Sequence, residues 1–162
     1  DIYVGTFSKS LGSIGGFVSA KSSISEYIRH KASAFIFTAA LPPASVAGVI
    51  EGLHILANDT ERRNRLHQNT AYIKRAFFDM GIQVNNSQIP IVPIQIGDEA
   101  LTLYMNRLLF DDGIFAGVAV SPVVPPLKAM IRTSYTCAHT REDLDNILGS
   151  FRKNLTKLGI LP

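Results

Sequence analysis

The sequence predicts an α/β chain that closes in an α+β module with a small antiparallel sheet. Three observations carry this reading. An apolar run, Ile2 to Val4, enters a Gly/Ser/Thr-rich stretch and re-emerges as the β-rich segment Gly16 to Ala20, a strand, a tight turn and a return strand. Apolar residues then recur at helical spacing from Pro42 to Met80. Beyond that, the pattern runs strand, helix, strand, strand, helix, too few strands for a large sheet.

The elements follow in order. Ser22 or Ser23 is placed to cap a helix reaching about Ser33, with Glu26 set for a capping box. Phe35 to Thr38 is short and rich in β-formers. Pro42 and Pro43 open a long helix, where the first turn tolerates them. Val46, Val49, Ile50, Leu53 and Leu56 mark its apolar face. Asn58 to Thr60 interrupts or recaps it, and Gly81 stops the helix that continues from Arg62. Ile89 to Ile96 alternates as a strand, with Pro90 and Pro93 pointing to an edge or to the strand's entry. Asp98 caps a helix to about Asp112. Ile114 to Val120 and Met130 to Tyr135 are strands, and Thr140 with Asp143 starts a last helix ending near Gly159. No repeat or low-complexity stretch interrupts this order.

Composition bounds the possibilities. The 162 residues are 46% hydrophobic and 18% charged, which suits a globular core rather than disorder. A mean hydropathy of +0.17 is high for a free surface and points to a large interface or a larger body. No run reaches the roughly 18 apolar residues of a membrane span. The start, Asp1-Ile-Tyr, has no basic n-region, so no secretory leader is expected. The single cysteine, Cys137, excludes an internal disulfide and favours a reducing, cytoplasmic setting. A net charge of +3 is mild, and the Arg62, Arg63, Arg65 cluster lacks interleaved aromatics, so nucleic-acid binding is not expected. Local positive charge still suits an anionic ligand such as coenzyme A. His30, His54 and His67 show no ligand spacing, and no metal is expected.

The chemistry concentrates at GTFSKSLGSIGGF, Gly5 to Phe17. Lys9 follows a strand and sits among hydroxyls and glycines. Lysine is rarely buried unpaired, and a desolvated amine becomes a usable nucleophile. The alternative is a lysine that reaches solvent along its alkyl stem. Two phosphate motifs fail here: Ser8 replaces the glycine required before a P-loop lysine, and Gly12, Gly15 and Gly16 lack the dinucleotide spacing.

The string Thr6 to Gly12, with Gly15, Gly16 and Phe17 after it, resembles the lysine segment of the α-oxoamine synthases, fold-type I enzymes that use pyridoxal phosphate (PLP). Phe35 to Pro43 is similar to that family's aromatic-Ser/Thr-x-x-Leu-Pro-Pro stretch. Pro122 to Pro125, Ile131 to Ser134 and Ala138 to Thr140 resemble its Pro-rich loop, its Arg-bearing strand and its Ala-x-His-Thr helix start. The resemblance implies the end of a fold-type I PLP-dependent large domain over residues 1–66, with the lysine segment and connecting helix. A small α+β carboxy-terminal domain would occupy 67–162. Family members carry an aromatic-stacking His and a pyridine-pairing Asp ahead of the lysine, so this chain is expected to be the carboxy-terminal part of a larger protein.

The same resemblance implies the roles. Lys9 would hold the PLP aldehyde and later act as general base, while Thr6 and Ser8 would contact the cofactor phosphate. Thr38 would reach the cofactor of the second subunit in a homodimer with a shared active site. Arg132 would grip the amino-acid carboxylate, and Val123, in the Pro-rich loop, would line the acyl-CoA path. The residues alone leave alternatives: a strand-end threonine at 6, a backbone-satisfying hydroxyl at 38, a structural ion pair at 132 and a stiff connection at 122–125. His139, ahead of a helix cap, reads as structural.

The implied reaction is decarboxylative condensation of an amino acid with an acyl-CoA. Ser8, Ser10, Ala39 and Ala40 lean toward serine palmitoyltransferases, and so toward sphingolipid-type biosynthesis. The runner-up is a glycine-using synthase such as 2-amino-3-ketobutyrate CoA ligase. A catalytically incomplete dimerisation module and an unrelated anion-binding α+β domain are the readings from other classes.

Overall fold

A computed structural model describes residues 1–85 and 87–161. It divides into two compact units, Asp1–Thr60 and Glu61–Pro162.

In the first unit, β1 (Tyr3–Thr6) and β2 (Gly16–Ser19) pair antiparallel, from Tyr3 opposite Ser19 to Thr6 opposite Gly16. Helices α1 (Ser22–Lys31), α2 (Ser33–Ile36) and α3 (Pro43–Asn58) follow. Two expectations are corrected here. Neither Ser22 nor Ser23 caps α1; Lys21 is the N-cap, with no side-chain bond. Ser22 is already helical, so Glu26 lies too far along for a capping box and instead faces Arg29 and His30. Phe35 to Thr38 is not extended, because no strand pairs with it. It closes a single helical turn in which Phe35 N and Ile36 N donate to Ala32 O. Pro42 and Pro43 start α3 as their fixed φ allows. Val49 is the only hydrophobic residue buried among the first sixty, while Ile2, Tyr3, Val4, Phe35 and Phe37 are exposed.

The second unit has a true core. Its elements are α4 (Thr60–Asp79), β3 (Ile91–Gly97), α5 (Glu99–Asp111), β4 (Gly117–Ala119), β5 (Ala129–Ser134) and α6 (Arg141–Lys157). The sheet is antiparallel in the order β3-β5-β4, so β3 is an edge, which suits Pro93 within it. Period-2 alternation sends Val92, Ile94, Ile131 and Thr133 inward. There they meet Ile73 and Phe77 of α4, Met105 and Leu109 of α5, and Leu144, Phe151 and Leu155 of α6. Asp98 accepts from Leu101 N at 2.8 Å, and Thr140 forms a full capping box with Asp143. The strand expected over 114–120 shrinks to Gly117–Ala119. The junction at 66/67 expected between domains falls inside α4. No described helix is long and apolar enough to cross a membrane.

Candidate active site

The Lys9 turn is built by its own backbone. Phe7 N donates to Gly15 O and Ser13 N to Phe7 O, both at 2.9 Å, continuing the hairpin beyond β1. Gly12 N then donates to Lys9 O at 3.0 Å, closing a turn that needs the left-handed φ of +58° at Gly12. Gly16 serves a different need: a Cβ there would stand 2.4 Å from Gly5 O, so only glycine lets the strands meet at the mouth of the turn.

Thr6 and Ser8 are brought together. Their hydroxyl oxygens lie 2.8 Å apart, Ser8 N donates to Thr6 Oγ1 at 3.2 Å, and Thr6 Oγ1 donates to Gly15 O at 3.3 Å. Lys9 follows directly. Of the two alternatives for Lys9, this chain shows the exposed one: no described residue covers the side chain or pairs with it.

Thr38 spends its hydroxyl locally, donating to Ala34 O at the end of α2. That is the backbone-satisfying alternative, and a bond to any phosphate requires its release. Arg132 lies on the exposed face of β5, opposite Pro93 of β3 and Gly117 of β4. The alternation of the strand, not an apolar burial, sets its environment. It makes no hydrogen bond or ion pair with a described residue, so the structural ion pair is absent among them. Val123 is 80% exposed in the loop after β4, where its N donates to Val120 O at 2.9 Å. His139 closes a turn, its Nδ1 accepting from Thr136 N at 3.2 Å. Asn69 of α4 donates to the carbonyls of Thr136 and His139, holding that turn.

Sequence reasoning missed the residues that seat the Lys9 turn. Leu41 lies where a Cβ on Gly15 would be, and Leu11 packs on α3 at Gly52, whose added Cβ would come 3.1 Å from Leu11 Cδ2. Ser13 Oγ donates to Ser45 O at 3.3 Å. The available signal was Gly52 itself, since an interior helical glycine costs up to about 1 kcal/mol and so marks a close approach.

A cavity of about 720 Å³ beside α4, lined by His67, Lys74 and Phe78 among others, contains none of the residues expected to bind cofactor or substrate. Burial lowers the proton affinity of Lys74, which donates to Asn85 Oδ1 at 3.0 Å and to Ser87 O. Among the described residues no group of three or more His, Cys, Asp or Glu is placed to hold a metal.

The chain belongs to the aminotransferase class I and II family, whose pattern matches residues 1–151. It is 41% identical over 161 residues to an 8-amino-7-oxononanoate synthase of Thermoanaerobacter pseudethanolicus. It is 37% identical over 161 residues to a serine palmitoyltransferase of Bacteroides thetaiotaomicron. Each alignment covers 99% of this chain and 41% of the relative, so the chain spans well under half the length of these relatives. A high-resolution structure of SPT with PLP internal aldimine superposes with a TM-score of 0.91 at 31% identity, covering 99% of this chain and 41% of that one. The fold is therefore part of a PLP fold-type I architecture, the class that the sequence motifs implied.

Proposed function

We propose that the whole protein is a PLP-dependent acyltransferase that condenses an amino acid with an acyl-CoA, releasing CO2 and coenzyme A and leaving a 2-amino ketone. The observation that carries this reading is an unpaired primary amine, Lys9, at a glycine-shaped turn beside the paired hydroxyls of Thr6 and Ser8. The donor set fits the cofactor: an amine for its aldehyde and two hydroxyls for its phosphate. When bound, PLP supplies the electron sink that lets a bond at the substrate α-carbon break.

The chain's own residues do the rest. Lys9 Nζ would hold the cofactor aldehyde, and the same amine would be the base at the substrate α-carbon. Arg132 offers a planar fork of unspent donors to the amino-acid carboxylate. Val123 presents apolar surface to the acyl chain. Thr38, freed from Ala34, reaches the cofactor phosphate of a second subunit, which makes the working form a homodimer. The reducing setting implied by a lone cysteine makes the site of action cytoplasmic.

Serine is the favoured amino acid, on Ser8 and Ser10 flanking Lys9, which places the product in sphingolipid-type biosynthesis. A second reading, an 8-amino-7-oxononanoate-type synthase, is favoured by the 41% identity to such an enzyme. The test supplies the whole protein with PLP, an acyl-CoA and carboxyl-labelled amino acids in turn, following free thiol and labelled CO2. Serine is expected to release both fastest. Release with glycine alone selects the glycine-using synthase, release with an amino acid other than serine or glycine selects the second reading, and release with none overturns the acyltransferase.

A further inference from the structure

We infer that Gly117 sets how much bulk the substrate can carry beside Arg132. The exposed face of the sheet pairs Pro93, Arg132 and Gly117 in one row. The rows on either side pair Ile91 with Ser134, and Gln95 with Met130 and Ala119. Arg132 is the one charged residue in these rows, and no carboxylate stands among them. Its cross-strand neighbours are a proline ring and a bare glycine.

Glycine is a poor strand residue, and in a strand it often marks a place where something else approaches closely. Neither usual structural reason for it applies at 117. Its φ is not among the positive ones. A Cβ would meet Arg132 O at 3.5 Å and Arg132 Cβ at 3.9 Å, which is ordinary contact. A methyl therefore fits the fold, but it would stand against the root of the Arg132 side chain. Leaving it out keeps the β4 side of the Arg132 Cβ uncovered by a residue-117 side chain. An amino acid whose carboxylate meets Arg132 places its α-substituent on or next to that uncovered side, so residue 117 acts as a size determinant for the substrate.

This inference rests on the carboxylate-binding reading of Arg132, and the experiment separates the two. In the whole protein loaded with PLP, Gly117→Ala, Gly117→Val and Arg132→Leu are compared for the KM of the amino acid, the KM of acyl-CoA and the thermal midpoint. Gly117→Val is expected to raise the amino-acid KM about tenfold or more, since one or two methylenes in a fitted site carry that much discrimination. Gly117→Ala should raise it less, with larger amino acids losing most and the acyl-CoA KM unchanged. The thermal midpoint should hold or rise, because a β-branched residue suits a strand better than glycine. That opposition of stability and binding is what a merely structural role would not produce. If Arg132→Leu raises the amino-acid KM but neither Gly117 variant does, the size role is overturned and the Arg132 reading stands. If Arg132→Leu leaves the amino-acid KM unchanged, both are overturned.

Discussion

The carboxylate of Asp112, at the C-cap of α5, accepts a hydrogen bond from Ser150 Oγ of α6 at 2.7 Å. Lys153 Nζ donates to the same carboxylate at 2.7 Å and Asn154 Nδ2 at 2.9 Å. A negative charge at a helix C-terminus faces the unfavourable end of the dipole, so these donors must offset it. The bonds from Lys153, then Ser150 and Asn154, hold the Asp112 carboxyl down at about 2 from an ordinary 3.8. A depressed acid stabilises the fold fully above its unfolded value and loses that contribution as pH falls through the folded one. Asp112→Asn should therefore lower the thermal midpoint near neutrality, with the gap to wild type closing between pH 3.8 and about 2. A gap that stays constant over that range contradicts the tether.

The capping box predicts a second effect. Thr140 Oγ1 accepts from Asp143 N at 3.2 Å, and Thr140 N donates to Asp143 Oδ2 at 2.7 Å. Thr140→Ala removes the first bond and should cost about 1 kcal/mol of stability in denaturant unfolding. Thr140→Ser, which keeps the acceptor, should recover most of it.

The core of the second unit sets a larger scale. Phe151 is fully buried and meets Phe77 edge to face, with centroids 5.2 Å apart at 79°. Phe151→Ala should cost about 3–5 kcal/mol, with Phe151→Leu costing clearly less, since it leaves a smaller void. Equal losses for the two would mean that the site collapses around either side chain.

At the candidate site, Gly16→Ala is predicted to be damaging out of proportion to its size. The new methyl would strike the carbonyl of Gly5 and part the strands that carry Thr6 and Lys9. The expected result is loss of cofactor colour at an unchanged far-ultraviolet dichroism spectrum. Full colour in the variant would show that the hairpin yields without disturbing Lys9.

Local chemistry was legible in the sequence, and surroundings were not. The Gly12 turn, the proline start of α3, the Asp98 cap and the Thr140 box depend on residues within a few positions of one another. Phe35 to Thr38 was misread because strand propensity counts only when a partner strand exists, and none pairs there. The exposure of Lys9 depends on which surfaces cover the hairpin, which its own motif does not encode. For Arg132 the residue was legible, but its neighbours were not. That Pro93 and Gly117 flank it follows from the register of β3 and β4, set by pairings some 40 and 15 residues apart in sequence. The seating of the turn by Leu11 on Gly52 is likewise a tertiary fact, hinted at only by a glycine inside a helix.

The central claim is that Lys9 is the residue that holds the cofactor. The whole protein is incubated with PLP, reduced with borohydride, digested and mapped by mass spectrometry. A pyridoxyl group on Lys9, and on no other lysine in proportion, is the predicted result. A folded protein that carries no adduct at Lys9, or carries it on another lysine, contradicts the account.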